Sequence, residues 1–280
     1  MASPINYIAF STKPCYTFIM DISQHKINFS HNQSEYNEIN LYKGTHFHND
    51  YELYFIVSGD VEYVVGDAIY SLQPYDLLLI KPTVYHHPRF LSQALYDRYV
   101  INFSLAAIDE HLLPILQTDQ VFFRFSDNQT VKNLYVAWDK FMNNAEEKDA
   151  YIFCRQLINL LLLQLKYADT NHQKEIIHPM LTKILAYIDA HLDEPLDVNS
   201  IAKRFFVSPS WIFYIFKKKF FISYSQYIQN KKMLYAEQLI RSGTPLTQVA
   251  FLCGFREYST FFRQYKRHFK TAPQNHKFNH

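Results

Sequence analysis

LDVNSIAKRFFVSPSWIFYIFKKKF, Leu196 to Phe220, and LTQVAFLCGFREYSTFFRQYKRHF, Leu246 to Phe269, are two copies of one pattern. Ala202 in the first answers to Ala250 in the second, with Val198 and Ile201 matching Leu246 and Val249. Further on, Ile212 matches Phe261 and Phe216 matches Tyr265, with the offset one residue larger after the turn. Each copy reads as a short helix, a tight turn and a second helix, with the small alanine where the helices must approach closely. Ser208 is an N-cap candidate and Pro209 suits the first helical position. The helix they open has Ile212, Ile215 and Phe216 at i, i+3 and i+4, a buried stripe. Its other face carries Ser210, Phe213, Tyr214, Lys217 and Lys218. The second copy offers Arg256, Ser259, Thr260, Arg263, Lys266 and Arg267. In a helix-turn-helix, the second helix starts in the DNA major groove, where polar side chains read base edges and Lys and Arg hold phosphates.

The matching residues run Ala202, Ser208, Phe216 and Lys217, then Ala236 and Leu239, then Val249, Ala250, Gly254, Phe255, Ser259, Phe261, Arg263, Lys266 and Pro273. In this order they resemble the double helix-turn-helix signature of AraC-type (AraC/XylS) transcriptional regulators, over roughly the last hundred residues. The resemblance implies a DNA-binding regulator of transcription. It also has departures. Tyr214 stands where the family has arginine, which predicts poor reading of guanine by the first copy. Phe221 and Lys270 stand where glycine ends each second helix. A side chain at a left-handed cap costs about 1 kcal/mol or more, so these two ends are expected to close differently.

Charge supports the division. Residues 1–170 hold 12 Lys and Arg against 19 Asp and Glu, a net −7, while residues 171–280 hold 16 against 7, a net +9. A basic C-terminal third on an acidic body points to a polyanionic partner for that third alone. The three cysteines, Cys15, Cys154 and Cys253, are far apart and form no C-x-x-C pair, which argues against a disulfide framework or a zinc finger and fits a reducing compartment. MASPINYIAF lacks a charged region followed by an apolar run, so no signal peptide is expected. The most apolar segment, Leu157 to Leu165, is too short to span a bilayer. A cytoplasmic protein without a membrane partner is the expectation.

From Thr45 to Pro88 the chain reads as short strands, with turns at Ser58-Gly59-Asp60, Gly66-Asp67 and Pro74-Tyr75-Asp76. That spacing suggests a small antiparallel barrel or jelly roll. His46, His48, Glu52 and Gly59 match the spacing of the first cupin motif, and Pro74, Asp76 and His86 or His87 loosely match the second. This stretch resembles the cupin-like sensor domain of the same regulators. Histidines two apart on a strand share a face, and Glu52 shares their parity. With His86 they are a possible metal set. Polar contact with a ligand is the preferred reading, so no metal and no cofactor is expected. Tyr51, Tyr54, Phe55, Tyr63, Tyr70, Tyr85, Tyr96 and Tyr99 supply aromatic surface on which a sugar could stack. The ligand set is His46, His48, Glu52, Tyr54, His86 and Arg89, with Arg98 as a further rim candidate.

Helical spacing follows: Val131, Leu134, Tyr135 and Trp138, then Ile158, Leu161, Leu162 and Leu165. The second of these helices is apolar on more than one side, enough to pack on the sheets and meet a second subunit. The family resemblance favours a homodimer through residues 130–167. The expected architecture is therefore α+β in two domains. Residues 1–170 form an antiparallel β-barrel or jelly roll (cupin-like) with helices, for sensing and dimerisation. Residues 171–178 are a linker, and residues 179–280 form an all-α double helix-turn-helix. The expected function is an activator that binds double-stranded DNA and responds to a small molecule, preferably a carbohydrate, and not an enzyme. Two alternatives stand beside it: a metal-dependent cupin enzyme with a DNA-binding tail, and a constitutive DNA binder whose barrel only dimerises.

Overall fold

The computed structural model describes residues 16–22, 25–34, 48–125, 128–142, 145–170, 175–176 and 178–273. The chain begins with β1 (Tyr16–Ile22), β2 (His25–Ser34), β3 (Tyr51–Ser58), β4 (Val61–Val65), β5 (Ala68–Ser71), β6 (Leu77–Ile80), β7 (His86–Phe90) and β8 (Tyr96–Phe103). After a single turn α1 (Leu113–Leu116) come β9 (Phe122–Phe123), α2 (Asn128–Met142), α3 (Glu147–Leu165) and β10 (Glu175–Ile176). Two antiparallel sheets result, ordered β1-β2-β8-β3-β6-β9 and β10-β5-β4-β7. The stretch expected as a linker thus contributes an edge strand, with Glu175 and Ile176 paired to Ile69 and Ala68.

Period-two alternation divides the larger sheet. Leu53, Phe55, Leu77, Leu79, Tyr99, Ile101 and Phe103 pack with Val131, Tyr135, Trp138, Leu157, Ile158, Leu161 and Leu162 of α2 and α3. Tyr54, Ile56, Leu78, Ile80 and Tyr96 point the other way and share a second core with Val61, Tyr63, Val65 and Tyr70 of the smaller sheet. The larger sheet is therefore covered on both faces, by helices on one and by a sheet on the other.

The rest of the described chain is helical: α4 (Pro179–Ala190), α5 (Val198–Arg204), α6 (Pro209–Phe220), α7 (Tyr224–Arg241), α8 (Leu246–Leu252) and α9 (Tyr258–Phe269). Two cores form here. One joins α4, α5, α6 and the start of α7, and the other joins the end of α7 to α8 and α9. Ala202 and Ala250 are both buried at the helix crossings, as their size predicts. Ser208 caps α6, its hydroxyl accepting from the Trp211 amide at 3.1 Å. Ser223 opens α7 with a reciprocal capping box to Gln226. Among the described residues no helix is long and apolar enough to cross a membrane.

One expectation is corrected. Phe221 and Lys270 do not close their helices differently. Both take the left-handed conformation, at φ 58° and 60°, that glycine would adopt more cheaply. The turns inside the two motifs show when glycine is needed. Phe206 and Gly254 occupy matching places, both left-handed, at φ 55° and 70°. Phe206 points into solvent, 96% exposed. A Cβ on Gly254 would meet the Asp193 and Glu194 carbonyl oxygens at 2.6 and 2.9 Å. Glycine is therefore required where the turn abuts the α4–α5 loop. Gly254→Ala should cost more than about 2 kcal/mol, measured by urea denaturation. Phe206→Gly should leave stability equal or raised by relieving the left-handed strain.

Candidate functional site

The inner face of the larger sheet holds a polar cluster among its apolar neighbours. Glu52 of β3 is 1% exposed and His86 of β7 is 0% exposed. His48 reaches the same point from just before β3, its Nε2 lying 3.1 Å from Glu52 Oε2. Nε2 of His86 lies 3.5 Å from the same oxygen. Asn102 of β8, directly opposite Glu52 in register, donates to that carboxylate at 2.9 Å. Behind the cluster, Nδ1 of His48 bonds the Asp50 carbonyl at 2.8 Å and Nδ1 of His86 bonds the Val84 carbonyl at 2.9 Å. Burial lowers the His48 pKa, but the bonded Glu52 carboxylate and Asp50 together outweigh it and leave the imidazole above its ordinary value. One nitrogen from each ring and one Glu52 oxygen lie within 4.8 Å of one another, a donor set suited to a transition-metal ion.

An aromatic wall continues from this cluster. The Tyr54 and Tyr63 ring centroids are 4.4 Å apart, and the Tyr63 and His86 rings stack at 6.2 Å. The Tyr54 and Tyr96 hydroxyls bond one another, and Arg98 lies over the Tyr96 ring at 4.3 Å. Burial holds the Tyr54 and Tyr63 phenols well above their usual range and pushes Tyr96 up to about 12. All three stay neutral hydroxyls at physiological pH.

The structure thus brings together His48, Glu52, Tyr54 and His86 of the expected ligand set. His46 lies outside the described residues. Arg89 does not join them. It pairs across the strands with Glu62 at 3.1 Å, on the side of β7 opposite His86. Three expected wall residues, Tyr51, Phe55 and Tyr99, face α2 and α3 instead. Tyr85 leaves the sheets altogether and is buried in the core of the first helix-turn-helix. Asn102 was missed, because an asparagine becomes legible only once β8 is paired with β3.

The same strand ends touch the helical region. Tyr85 donates its hydroxyl to the Phe220 carbonyl, and its ring meets Phe220 edge-on at 4.6 Å. His87 packs edge-on against Phe221 at 5.1 Å. Asn49 donates to the Leu234 carbonyl at 3.0 Å and to Glu237 at 2.7 Å. The buried Lys231 donates to the Thr83 carbonyl at 3.1 Å.

On the helical side the expected DNA-facing residues fall on two exposed surfaces. Ser210, Phe213, Tyr214, Lys217 and Lys218 are exposed on α6, with Lys218 donating to the Tyr214 hydroxyl at 2.7 Å. Arg263, Lys266 and Arg267 are exposed on α9 together with Ser259, Arg256 lies exposed just before it, and Thr260 is half-buried.

A sheet domain with a buried polar cluster, joined to a double helix-turn-helix, is the plan of a DNA-binding transcriptional regulator with a ligand-binding domain. Residues 34–147 match the AraC-like ligand binding domain family, and residues 201–277 match a helix-turn-helix domain family. The uncharacterized HTH-type transcriptional regulator YfiF of Bacillus subtilis is 25% identical over 228 residues, 75% of this chain and 71% of that one. The regulatory protein SoxS of Escherichia coli K12 is 26% identical over 108 residues, 38% of this chain and 96% of its own. The chain spans less than half the length of some other regulators it matches, such as LumQ of Photobacterium leiognathi at 43%. Apo ToxT from Vibrio cholerae aligns over 92% of this chain and 98% of its own at 14% identity, with a TM-score of 0.37. The chain belongs to the AraC type of transcriptional regulators.

The contact between the two regions yields a prediction. Tyr85→Ala removes a fully buried ring, a loss of about 3 kcal/mol or more. Limited tryptic digestion should then run several-fold faster than in the wild type. An unchanged cleavage rate would show that Tyr85 does not anchor the contact.

Proposed function

We propose that this regulator activates transcription in response to a small molecule of the carbohydrate class, bound by the inner face of its sheet domain. One observation carries the reading: the buried His48–Glu52–His86 cluster shares its strand ends with the contact on the first helix-turn-helix. Neutral tyrosine hydroxyls, a carboxylate and imidazoles beside flat rings suit a polyhydroxylated ligand. We place the sensor within residues 1–170, the connection at 171–178 and the DNA reader at 179–280, working in the cytoplasm. It is a homodimer, not an enzyme. Support for the dimer comes from α3, whose outer side exposes Ile152, Leu160 and Leu163 along one stripe, with Tyr167 exposed just past its end. The proposed DNA contacts are Ser210, Phe213, Tyr214, Lys217 and Lys218 from the first motif. The second motif adds Arg256, Ser259, Thr260, Arg263, Lys266 and Arg267. The ligand contacts are His48, Glu52, Tyr54 and His86. A thermal-shift screen against monosaccharides tests the effector class. A stabilisation abolished by Glu52→Ala supports the reading, and no response to any sugar overturns it.

The DNA reading makes its own predictions. Neutralising about six phosphates should lower affinity about a thousandfold between 50 and 200 mM salt, and a flat titration would refute groove binding by the basic third. Arg263→Ala should cost about 1–3 kcal/mol on the specific site. If Arg263 reads a base, the loss vanishes on a site mutated at that base. If it holds a phosphate, the loss is the same on every sequence and the salt slope drops by about one. Tyr214→Arg should shift preference towards guanine in one half of the site. Sedimentation tests the dimer: Leu160→Glu with Leu163→Glu should give a monomer, and an unaltered dimer would move the interface elsewhere.

A further inference from the structure

The exposed face of α6 departs from that of its counterpart α9 at its centre. At an offset of 49 residues (259 − 210), Ser210 answers to Ser259, Lys217 to Lys266 and Lys218 to Arg267, so both helices carry the same polar and basic frame. Inside that frame the second motif has Phe262 and Arg263, and the first has Phe213 and Tyr214. Phe262 is half-buried, with the Tyr258 ring centroid 6.2 Å from its own. Pro209, which has no aromatic ring, stands in the first motif where Tyr258 stands in the second. Phe213 is left 47% exposed, beside Tyr214 at 56%. Two neighbouring aromatic rings thus lie open to solvent in the middle of a basic helix face, and an exposed apolar patch of this kind marks a contact surface.

We propose that α6 reads thymine by its 5-methyl group, through Phe213 and Tyr214, so that the first motif's half of the DNA site is built on A·T pairs. This rests on the DNA reading above and adds the base that one half of the site requires. In the major groove thymine presents a methyl group, while the other bases present only donors and acceptors. The Phe213 side chain has no polar atom. Against guanine, adenine or cytosine it would strip water from groups it cannot bond, and against a thymine methyl it buries apolar surface on both partners. Tyr214 adds direction. Its hydroxyl oxygen accepts from Lys218 at 2.7 Å, and the Lys218 ammonium lies 5.1 Å from its ring centroid. The phenol proton is then left to be donated, and O4 beside the thymine methyl is an acceptor.

The placement along α6 fits this use. Ser210, Phe213, Tyr214, Lys217 and Lys218 recur at i, i+3, i+4, i+7 and i+8, on the side opposite the buried Ile212, Ile215 and Phe216. From Ser210 to Lys218 the helix rises about 12 Å, roughly the rise of three to four base pairs. The first turns of such a helix meet base edges, and lysines a turn further on meet phosphates. Charge selects the occupant: Lys217, Lys218 and Lys219 adjoin the rings, which suits a polyanion. At the matching place α9 has the Arg263 fork, so the two motifs ask for different chemistry in their halves of the site.

The test uses the full chain and a random-sequence duplex library, from which the bound site is selected. Each thymine of that site is then replaced by deoxyuridine, which keeps O4 and lacks only the methyl. In one half of the site, affinity should fall about fourfold at each responsive thymine, the worth of one buried methyl, and the other half should be indifferent. Phe213 and Tyr214 are both exposed, so their alanine variants keep the fold, which circular dichroism verifies. Phe213→Ala and Tyr214→Ala should each bring a thymine-to-uracil affinity ratio from about four to about one, whereas Arg263→Ala should lower affinity and leave the ratio as it is. A C·G pair at a responsive position should weaken binding, and 5-methylcytosine in place of that cytosine should recover about fourfold. A selected site that binds equally well with uracil at every position overturns the proposal and leaves the DNA reading intact. A methyl effect that survives both alanine variants overturns it too, and assigns the two rings to a protein partner. A selection that enriches no sequence refutes the DNA reading itself, and this inference with it.

Discussion

Two-sided burial of the six-stranded sheet is the constraint on which the sensor depends. Odd-numbered residues of β3 and β8 lie against α2 and α3, and even-numbered ones face the smaller sheet. A slip of one residue would exchange these faces. Glu52 would then be pressed among Trp138, Leu161 and their neighbours, and a carboxylate buried without its hydrogen-bonding partners costs several kcal/mol. The register in which Glu52 meets Asn102 is the one in which the carboxylate has them. The polar cluster is thus the part of the sheet that tolerates misregister least.

In the helical half α7 has the equivalent role. Its first turns belong to the core of one helix-turn-helix and its last turns to the core of the other. Its 18 residues extend about 27 Å, which spans the two helix-turn-helix cores with one rigid element. Such a helix transmits position only if its ends are firm. The capping box at Ser223 fixes one end, and the left-handed Gly243 at φ 85° closes the other. The left-handed Phe221, two residues before Ser223, turns the chain out of α6, and the His87 ring meets it edge-on.

What could be read from the chain follows from how local each signal is. The duplicated helix-turn-helix was legible in full, because its buried stripes, N-caps and turns lie within a few residues of one another. The Ser208 cap, the start of α6 at Pro209 and the buried alanines are where the spacing places them. In the sheet domain the turns and the pairing of His48 with Glu52 were legible for the same reason. The face of each aromatic residue was not. Tyr54 and Phe55 are neighbours with similar side chains, and only the placement of α2 and α3 decides which of them lines the inner face. Arg89 failed as a ligand because strand parity turns it with Glu62 to the outer side. Tyr85 failed because its neighbours come from another domain, about 135 positions away in the chain. The caps at Phe221 and Lys270 show a local rule overridden. The penalty for a left-handed side chain is about 1–2 kcal/mol, of the size that full burial of Phe220 at the end of α6 offsets.

Regulation requires a difference in contacts between two states, since a ligand can shift an equilibrium only by its differential affinity. The contact between the halves has the composition for such a shift. Its apolar part is small, chiefly Tyr85 and His87 on Phe220 and Phe221. Its polar part is directional: Asn49 to Leu234 and Glu237, and Lys231 to the Thr83 carbonyl. Each net hydrogen bond contributes about 1 kcal/mol, and each fails over a displacement of less than an ångström. A few such bonds sum to the 1–3 kcal/mol typical of allosteric coupling. They are few enough that the loss of any one removes a large share of the contact between the halves. A larger apolar interface would have locked the two halves together more firmly.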